Sequence, residues 1–337
     1  MTKHRCKLSE LQGKLSTPID LFICQASYEA RCLSIAKSID VSSVKVALIG
    51  VNDDIIQHVG LNFESLYGMF NGRSQRVSTK MQNPLATADK WNEVFSKYWT
   101  STNQLNVLVD ITTLTHEALL ILMELIRIWR RPTDSVTFCY ASASEYDSGS
   151  KNSEKWLSKG VVDIRSVLGF PGQMKPTMKT HLIILVGYEQ ERASSLIQSY
   201  EPNLISLGHG KTGSHVEKRH EEASARFQEL VSEVGSKYGV VEAFEFSCTR
   251  PEEVRDVLLQ QAHKYSEYNV VIAPMNTKLS TIGCALAAWN DSAIQLCYAQ
   301  AFTYNYANYS VPGDTCYLIN NLDWPESRLA HNGSKEP

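Results

Sequence analysis

The run CYASASEY, Cys139 to Tyr146, returns as CYAQAFTY, Cys297 to Tyr304. Five of its eight letters are shared, as Cys-Tyr-Ala-x-Ala-x-x-Tyr, and the offset is 297 − 139 = 158. Upstream, NVLVDITTLTHEALLIL from Asn106 pairs with NVVIAPMNTKLSTIGCAL from Asn269. Further upstream, DLFICQASYEARCLSIAKSI from Asp20 pairs with HLIILVGYEQERASSLIQSY from His181, and Arg31 falls on Arg192 at 192 − 31 = 161. A second apolar run follows in each half, VKVALIG from Val44 and NLISLGHG from Asn203. Four ordered matches at nearly one offset mark an internal repeat, and a repeat of this length sets the fold.

Each half reads as strand, helix, strand, variable segment, helix, strand, helix, strand. Alternation of this kind predicts a parallel sheet with helices on both faces. The strands are continuous Val/Ile/Leu runs, as expected where helices bury both faces. The fold class is therefore α/β, with two pseudo-symmetric Rossmann-like halves and mainly parallel sheets. In the second variable segment AFEFS reads as a strand, and Pro251 followed by two glutamates opens a helix. Pro84 stands in the same place before ATADKWNEVFSKYW. Each variable segment thus keeps the plan. The Gly- and Pro-rich stretch Gly169 to Lys179 suggests a boundary, giving a first repeat over 1–170, a second over 171–325 and a flexible tail over 326–337.

Composition narrows the partners. The chain has 337 residues, 43% of them hydrophobic, and a formal net charge of −3. That apolar fraction is enough for buried cores and excludes disorder along the whole chain. A near-neutral balance gives no strong sign of direct DNA binding, which clustered Lys and Arg would drive. The N-terminal stretch has no apolar run of signal-peptide type, and the greasiest segment, Ala118 to Trp129, carries Glu124 and Arg127. It is shorter than the ~20 apolar residues that span a bilayer. The eight cysteines form no C-x-x-C pair, which argues against zinc-ribbon and thioredoxin chemistry. A cytoplasmic protein with reduced, core-packed cysteines and no membrane partner is expected.

Doubly wound sheets bind ligands beyond the carboxyl ends of their strands. The residues there are Tyr28, Glu29 and Arg31 after the first strand, Asp110, Thr112 and Thr113 after the fourth, and their counterparts Tyr188, Glu189, Arg192, Asn276, Thr277 and Lys278, with Tyr304 closing the last strand. Two roles are open to them. Tyrosines can stack on a base and cations can pair a phosphate at helix N-termini. Equally, Thr113, Thr115, Thr277 and Ser280 fit helix N-caps and first-turn residues, and Glu29–Arg31 and Glu189–Arg192 fit structural ion pairs. Asp110 falls on Ala273, so the halves are not chemically equivalent.

The loops DITTLTHE and APMNTKLS, each closing a strand and opening a helix, resemble the strand-to-helix loop of CRISPR-associated Rossmann-fold (CARF) sensors and of the related SAVED domains. That resemblance implies a two-lobed pocket for a cyclic or linear oligonucleotide. Asp110, Thr112, Thr113, Asn276, Thr277 and Lys278 would form its floor. It departs from the family in lacking the loop's glycine pair, where Thr112-Thr113 and Met275-Asn276 stand instead, and no fused effector nuclease domain is expected. The function expected is binding of a nucleotide or nucleotide-derived signal, as sensor or regulatory subunit of a prokaryotic, antiviral system with a separate effector protein. An enzyme acting on a nucleotide or nucleoside through Glu29, Glu189 or Asp110 is the alternative, and a structural partner subunit the second alternative. No cofactor is assigned.

Two further motifs carry less. Gly208-His-Gly-Lys-Thr-Gly213 satisfies G-x-G-x-x-G but follows the second strand of its half, whereas a dinucleotide fingerprint follows the first. The run His209, His215, Lys218, Arg219, His220 fits no metal-ligand spacing and reads as a solvated basic helix start. In the helix Trp91 to Trp99 the apolar residues Trp91, Val94, Phe95, Tyr98 and Trp99 share one face, which reads as core or partner surface.

Overall fold

The computed structural model describes residues 5–100, 104–146, 156–211, 220–238, 241–320 and 322–325. Its elements in chain order are β1 (Arg5–Lys7), β2 (Ile19–Gln25), α1 (Ser34–Lys37), β3 (Val44–Asn52), α2 (Ile56–Met69), β4 (Ser74–Thr79), α3 (Pro84–Trp99), β5 (Asn106–Asp110), α4 (His116–Trp129) and β6 (Ser135–Tyr146). There follow β7 (Ser158–Pro171), β8 (Lys179–Leu185), α5 (Gln190–Tyr200), β9 (Leu204–Gly210), α6 (His220–Tyr238), β10 (Val241–Phe246), α7 (Pro251–Lys264), β11 (Tyr268–Pro274), α8 (Lys278–Asn290), β12 (Gln295–Tyr304) and β13 (Ser310–Ile319). The chain divides into two compact units, one of residues 1–148 with 306–337, the other of residues 149–305.

The first unit holds a sheet of order β1-β13-β6-β5-β2-β3-β4. From β6 to β4 its strands run parallel, β13 runs antiparallel to β6, and β1 runs antiparallel to β13. The second unit holds the order β10-β9-β8-β11-β12-β7, parallel except for β7. Stripped of the antiparallel strands, both sheets have the Rossmann order 3-2-1-4-5, so the repeat in the sequence is a repeat in topology. The switch point lies between β2 and β5 in one unit and between β8 and β11 in the other.

The central strands are buried on both faces: Leu21 to Cys24 and Leu182 to Leu185 are each at most 1% exposed. One core packs Phe22, Cys24, Ile35, Ile49 and Phe70 under the first sheet. Its counterpart packs Leu182, Ile184, Leu196, Leu207 and Phe227. Local signals set the helix starts. Pro84 and Pro251 stand in the first turns of α3 and α7, where the missing N–H costs nothing. The Asn83 side chain caps α3, the Thr115 hydroxyl caps α4 and the Thr277 hydroxyl caps α8. On α3, Trp91, Val94, Phe95 and Trp99 are buried as one face. All eight cysteines are buried thiols.

Three features differ from the sequence reading. The amphipathic helix expected after β2 is a 3₁₀ turn over Ala30–Leu33 followed by the single turn α1. Arg31, Cys32 and Leu33 are all buried there. Three consecutive inward residues cannot share one face of an α-helix, whereas its counterpart α5 is regular over eleven residues. Thr113 is not the cap of α4; that role falls to Thr115, two residues on. Finally, β7 precedes the expected boundary at 170 yet bonds to β12, with Ser158 opposite Tyr304. Reciprocally, β13 bonds to β6, with Ser310 opposite Tyr146. Each half's last parallel strand is therefore completed by the segment that follows the other half's last parallel strand. The glycine loop Lys211 onward and the basic run His215, Lys218 and Arg219 fall largely outside the described residues, as does the tail from 326.

Candidate functional site

In the first unit the loop after β2 carries a buried ion pair. Glu29 is 8% and Arg31 3% exposed, and Arg31 Nη2 donates to Glu29 Oε2 at 2.6 Å. Arg31 Nε donates to the same oxygen at 3.0 Å and to Ser310 Oγ at 2.9 Å. Ser310 Oγ in turn donates to Glu29 Oε2 at 2.5 Å. Arg31 Nη1 donates to the Ala141 carbonyl at 3.2 Å and to the Tyr140 hydroxyl at 3.4 Å, and the guanidinium stands 5.3 Å from the Tyr146 ring centre. Every guanidinium nitrogen thus has a partner, as a buried cation requires.

The network continues to Asp110. The Thr112 hydroxyl accepts from the Ala141 amide at 3.0 Å, and Asp110 Oδ1 accepts from the Thr112 amide at 2.9 Å. Asp110 is 3% exposed. Burial pushes its carboxyl up to about 7, against the pull of the Thr112 hydroxyl and amide and of the Arg31 charge. Thr113 spans the switch point: its hydroxyl donates to the Gln25 carbonyl at 2.9 Å. Tyr28 is half-buried and packs edge-on against Tyr306, ring centres 5.0 Å apart, and Tyr309, at 5.5 Å. The outer face of Tyr306 is stacked by exposed His58 at 3.8 Å.

The second unit repeats the arrangement with other contacts. Arg192 Nη1 donates to Glu189 Oε2 at 2.6 Å, and Arg192 Nη2 donates to the Ala299 carbonyl. Ser158 donates its hydroxyl to Glu189. The guanidinium lies 5.6 Å from the Tyr298 ring centre, and Tyr298 and Tyr304 share a hydrogen bond of 3.4 Å between hydroxyls. Arg192 Nε, however, is buried with no hydrogen-bond partner. At the switch point Asn276 Nδ2 donates to the Val186 carbonyl at 2.7 Å, the place Thr113 takes in the first unit. A Cβ on Gly187 would meet the Met275 backbone carbonyl, so β8 and β11 close here only with glycine at 187.

Thr277 does two things. Its hydroxyl accepts from the Ser280 amide, capping α8, and donates to the Cys248 carbonyl at 2.7 Å. That bond ties the loop after β10, which leads into α7, to the loop after β11, which leads into α8. Gly283 of α8 lies against Pro251 and Val254 of α7 without room for a side chain. The first turns of both helices therefore stand beside one another, with their amides at the carboxyl edge. Lys211, Arg250 and Lys278 follow β9, β10 and β11 at that edge. The corresponding edge of the first unit carries Asp53 and Asp54 after β3 instead. Tyr188 is half-buried between β8 and α5.

The residues picked from the sequence are thus gathered within each unit at the strand ends. Glu29, Arg31, Asp110 and Thr112 form one buried network, Glu189, Arg192 and Tyr304 belong to a second, and Asn276, Thr277 and Lys278 line the α8 start. Ser158, Ser310, Tyr140 and Tyr298 complete the networks, and only the shared Cys-Tyr-Ala run marks the two tyrosines in the sequence. No group of three or more His, Cys, Asp or Glu suited to a metal occurs among the described residues, and no helix among them is long and apolar enough to cross a membrane.

No protein-family profile matches the chain, and no curated protein does. Among solved structures it is similar to a type III CRISPR defence DNA nuclease activated by cyclic oligoadenylate, at 9% identity and a TM-score of 0.48 over 80% of this chain. The chain spans 64% of that nuclease's length. It is similar also to phosphoethanolamine N-methyltransferase 1 of Haemonchus contortus, at 7% identity and a TM-score of 0.26 over 79% of this chain and 72% of that one.

Proposed function

We propose that the protein binds a nucleotide or nucleotide-derived signal, with the anionic part of the ligand at the carboxyl edge of its second sheet. The observation that carries this reading is the Thr277 hydroxyl on the Cys248 carbonyl, which sets the starts of α7 and α8 side by side. Two helix N-termini offer backbone donors and the positive ends of two dipoles. Lys211 and Lys278 add side-chain charge, and Arg250 stands beside them paired with Glu253 at 2.8 Å. At the first unit's edge Asp53 is paired with Arg76 at 2.6 Å and Asp54 adds a further carboxylate, which makes it the poorer place for an anion. In the same unit as those helix starts, Tyr188 and Tyr304 supply ring faces suited to a base. Glu189 and Arg192 would act from beneath this edge, by holding the loop after β8, as Glu29, Arg31, Asp110 and Thr112 hold the loops of the first unit.

Such binding suits a sensor or regulatory subunit that reports occupancy to a separate effector. The likeness of the DITTLTHE and APMNTKLS loops to those of CARF and SAVED sensors supports an antiviral setting. The enzymatic alternative has less support, because Glu29, Glu189 and Asp110 are all engaged inside the fold. The test is a thermal-shift screen of mono-, di-, cyclic and oligonucleotides. A ligand at about 100 times its Kd adds roughly 2.7 kcal/mol to the stability. A panel in which none raises the melting temperature overturns the reading.

A further inference from the structure

We infer that Cys6 and Cys316 are a disulfide-forming pair, closed by a hydroperoxide-class oxidant, that staples the N-terminal edge strand onto β13. Cys6 is the middle residue of β1 and stands directly opposite Cys316 in the antiparallel ladder. Directly opposed residues in such a ladder have Cα atoms about 4.5–5.5 Å apart, inside the range a disulfide spans. Each sulfur lies close enough to influence the other's ionisation, and the Cys316 thiol donates to the Tyr317 carbonyl at 3.6 Å. Cys139 is the competing partner, but it lies opposite Leu318, two residues along the strand from Cys316. Diagonal neighbours are about 7–8 Å apart, beyond disulfide reach without backbone movement.

Access favours Cys6 as the first sulfur oxidised. Cys316 is sealed, whereas Cys6 retains 8% exposure. The strand that carries Cys6 has three residues and a neighbour on one side only, so it opens more readily than any interior strand. Burial raises both thiols, Cys316 far more than Cys6; at Cys6 the Glu10 carboxylate adds to the rise and Lys14 offsets part of it. In the first step the Cys6 thiol takes one oxygen from the hydroperoxide and becomes a sulfenic acid, releasing an alcohol or water. In the second the Cys316 sulfur displaces that hydroxyl as water, its own proton leaving with it, and the S–S bond forms. Two thiols are oxidised by two electrons and one peroxide bond is reduced.

The staple would close almost the whole chain into one loop, because it joins residue 6 to residue 316. It would also fix β13, the strand that brings Ser310 to Glu29 and Arg31. A disulfide that closes so long a loop strongly restricts the unfolded chain.

The experiment treats the folded full chain with hydrogen peroxide, blocks remaining thiols in denaturant, and maps peptides without reduction. The expected result is one linked pair of peptides containing Cys6 and Cys316, lighter than their sum by two hydrogen atoms. Oxidised protein should melt at a higher temperature than reduced protein, and dithiothreitol should reverse the difference. Cys6→Ser should show neither the link nor the shift, while Cys139→Ser should keep both. Cys316 recovered alkylated, linked to Cys139, or accompanied by Cys6 only as sulfinic acid would each overturn the inference.

Discussion

Ser310 donates its hydroxyl to the Glu29 carboxylate at 2.5 Å, although 281 positions separate the two in the chain. The same bond recurs in the second unit between Ser158 and Glu189. In each unit the serine comes from the antiparallel strand that completes the sheet, and the glutamate from the loop after the first strand. The acid–arginine pair is thereby a clasp on a strand supplied from elsewhere in the chain.

Breaking that clasp should be costly. Arg31→Met leaves Glu29 buried with Ser310 as its remaining side-chain partner, and losing one member of a buried pair costs about 3–5 kcal/mol. Adding Glu29→Gln should restore part of the loss, since the uncompensated charge is gone. Arg192→Met should cost less than Arg31→Met, because Arg192 Nε already lacks a partner. Urea denaturation of the four proteins measures this; an Arg31→Met loss under about 1 kcal/mol would show that the network is dispensable.

Asp110 should make the stability fall as pH rises. Its folded value, about 7, lies above the ordinary carboxyl value near 3.9, so the folded state holds the proton more tightly. The stabilisation is therefore full below about pH 4 and lost as pH climbs through about 7, on the order of a few kcal/mol in total. Asp110→Asn keeps an acceptor for the Thr112 amide and removes the titration. Its stability relative to the native protein should grow between pH 5 and pH 8. Parallel curves across that range would count against a protonated Asp110.

Removing residues 306–337 should do more than shorten the chain. It takes away β13, the neighbour of β1 and the outer partner of β6. It also strips Ser310 from Glu29 and Arg31, leaving a sheet edge and a charged pair open. The expected outcome is loss of a cooperative thermal transition with retained far-ultraviolet dichroism, which calorimetry and near-ultraviolet dichroism read directly. A sharp transition near the full-length midpoint would refute it.

At the second sheet's edge, Lys278→Ala should weaken the best nucleotide ligand by roughly ten- to a hundred-fold, the size of one charge-assisted hydrogen bond. Thr277→Val should lose affinity together with about 1 kcal/mol of stability, because the cap of α8 and the tie to Cys248 go at once. Calorimetric titration beside thermal melts separates the two effects. Unchanged affinity in Lys278→Ala would mean that the anion sits on another loop.

Much of this architecture is legible from the residues alone. Continuous apolar runs such as Leu21 to Cys24 and Leu182 to Leu185 admit only a strand buried on both faces, and the offset near 160 assigns both halves the same strand order. Pro84, Pro251, Thr115 and Thr277 mark helix starts by local chemistry, which needs no knowledge of the rest of the chain. The partners of β6 and β12 are a different matter. Both strands carry Cys-Tyr-Ala-x-Ala-x-x-Tyr and present the same edge, so either can accept β7 or β13 by local preference. Only the folded chain decides that β7 completes β12 and β13 completes β6, since pairing over more than a hundred residues is selected by global packing rather than by propensity. The fate of the ion pairs was settled at the same level. Glu29-x-Arg31 in a sequence fits a ligand contact or an internal pair equally well, and burial beneath Ser310 and Tyr140 makes it an internal pair.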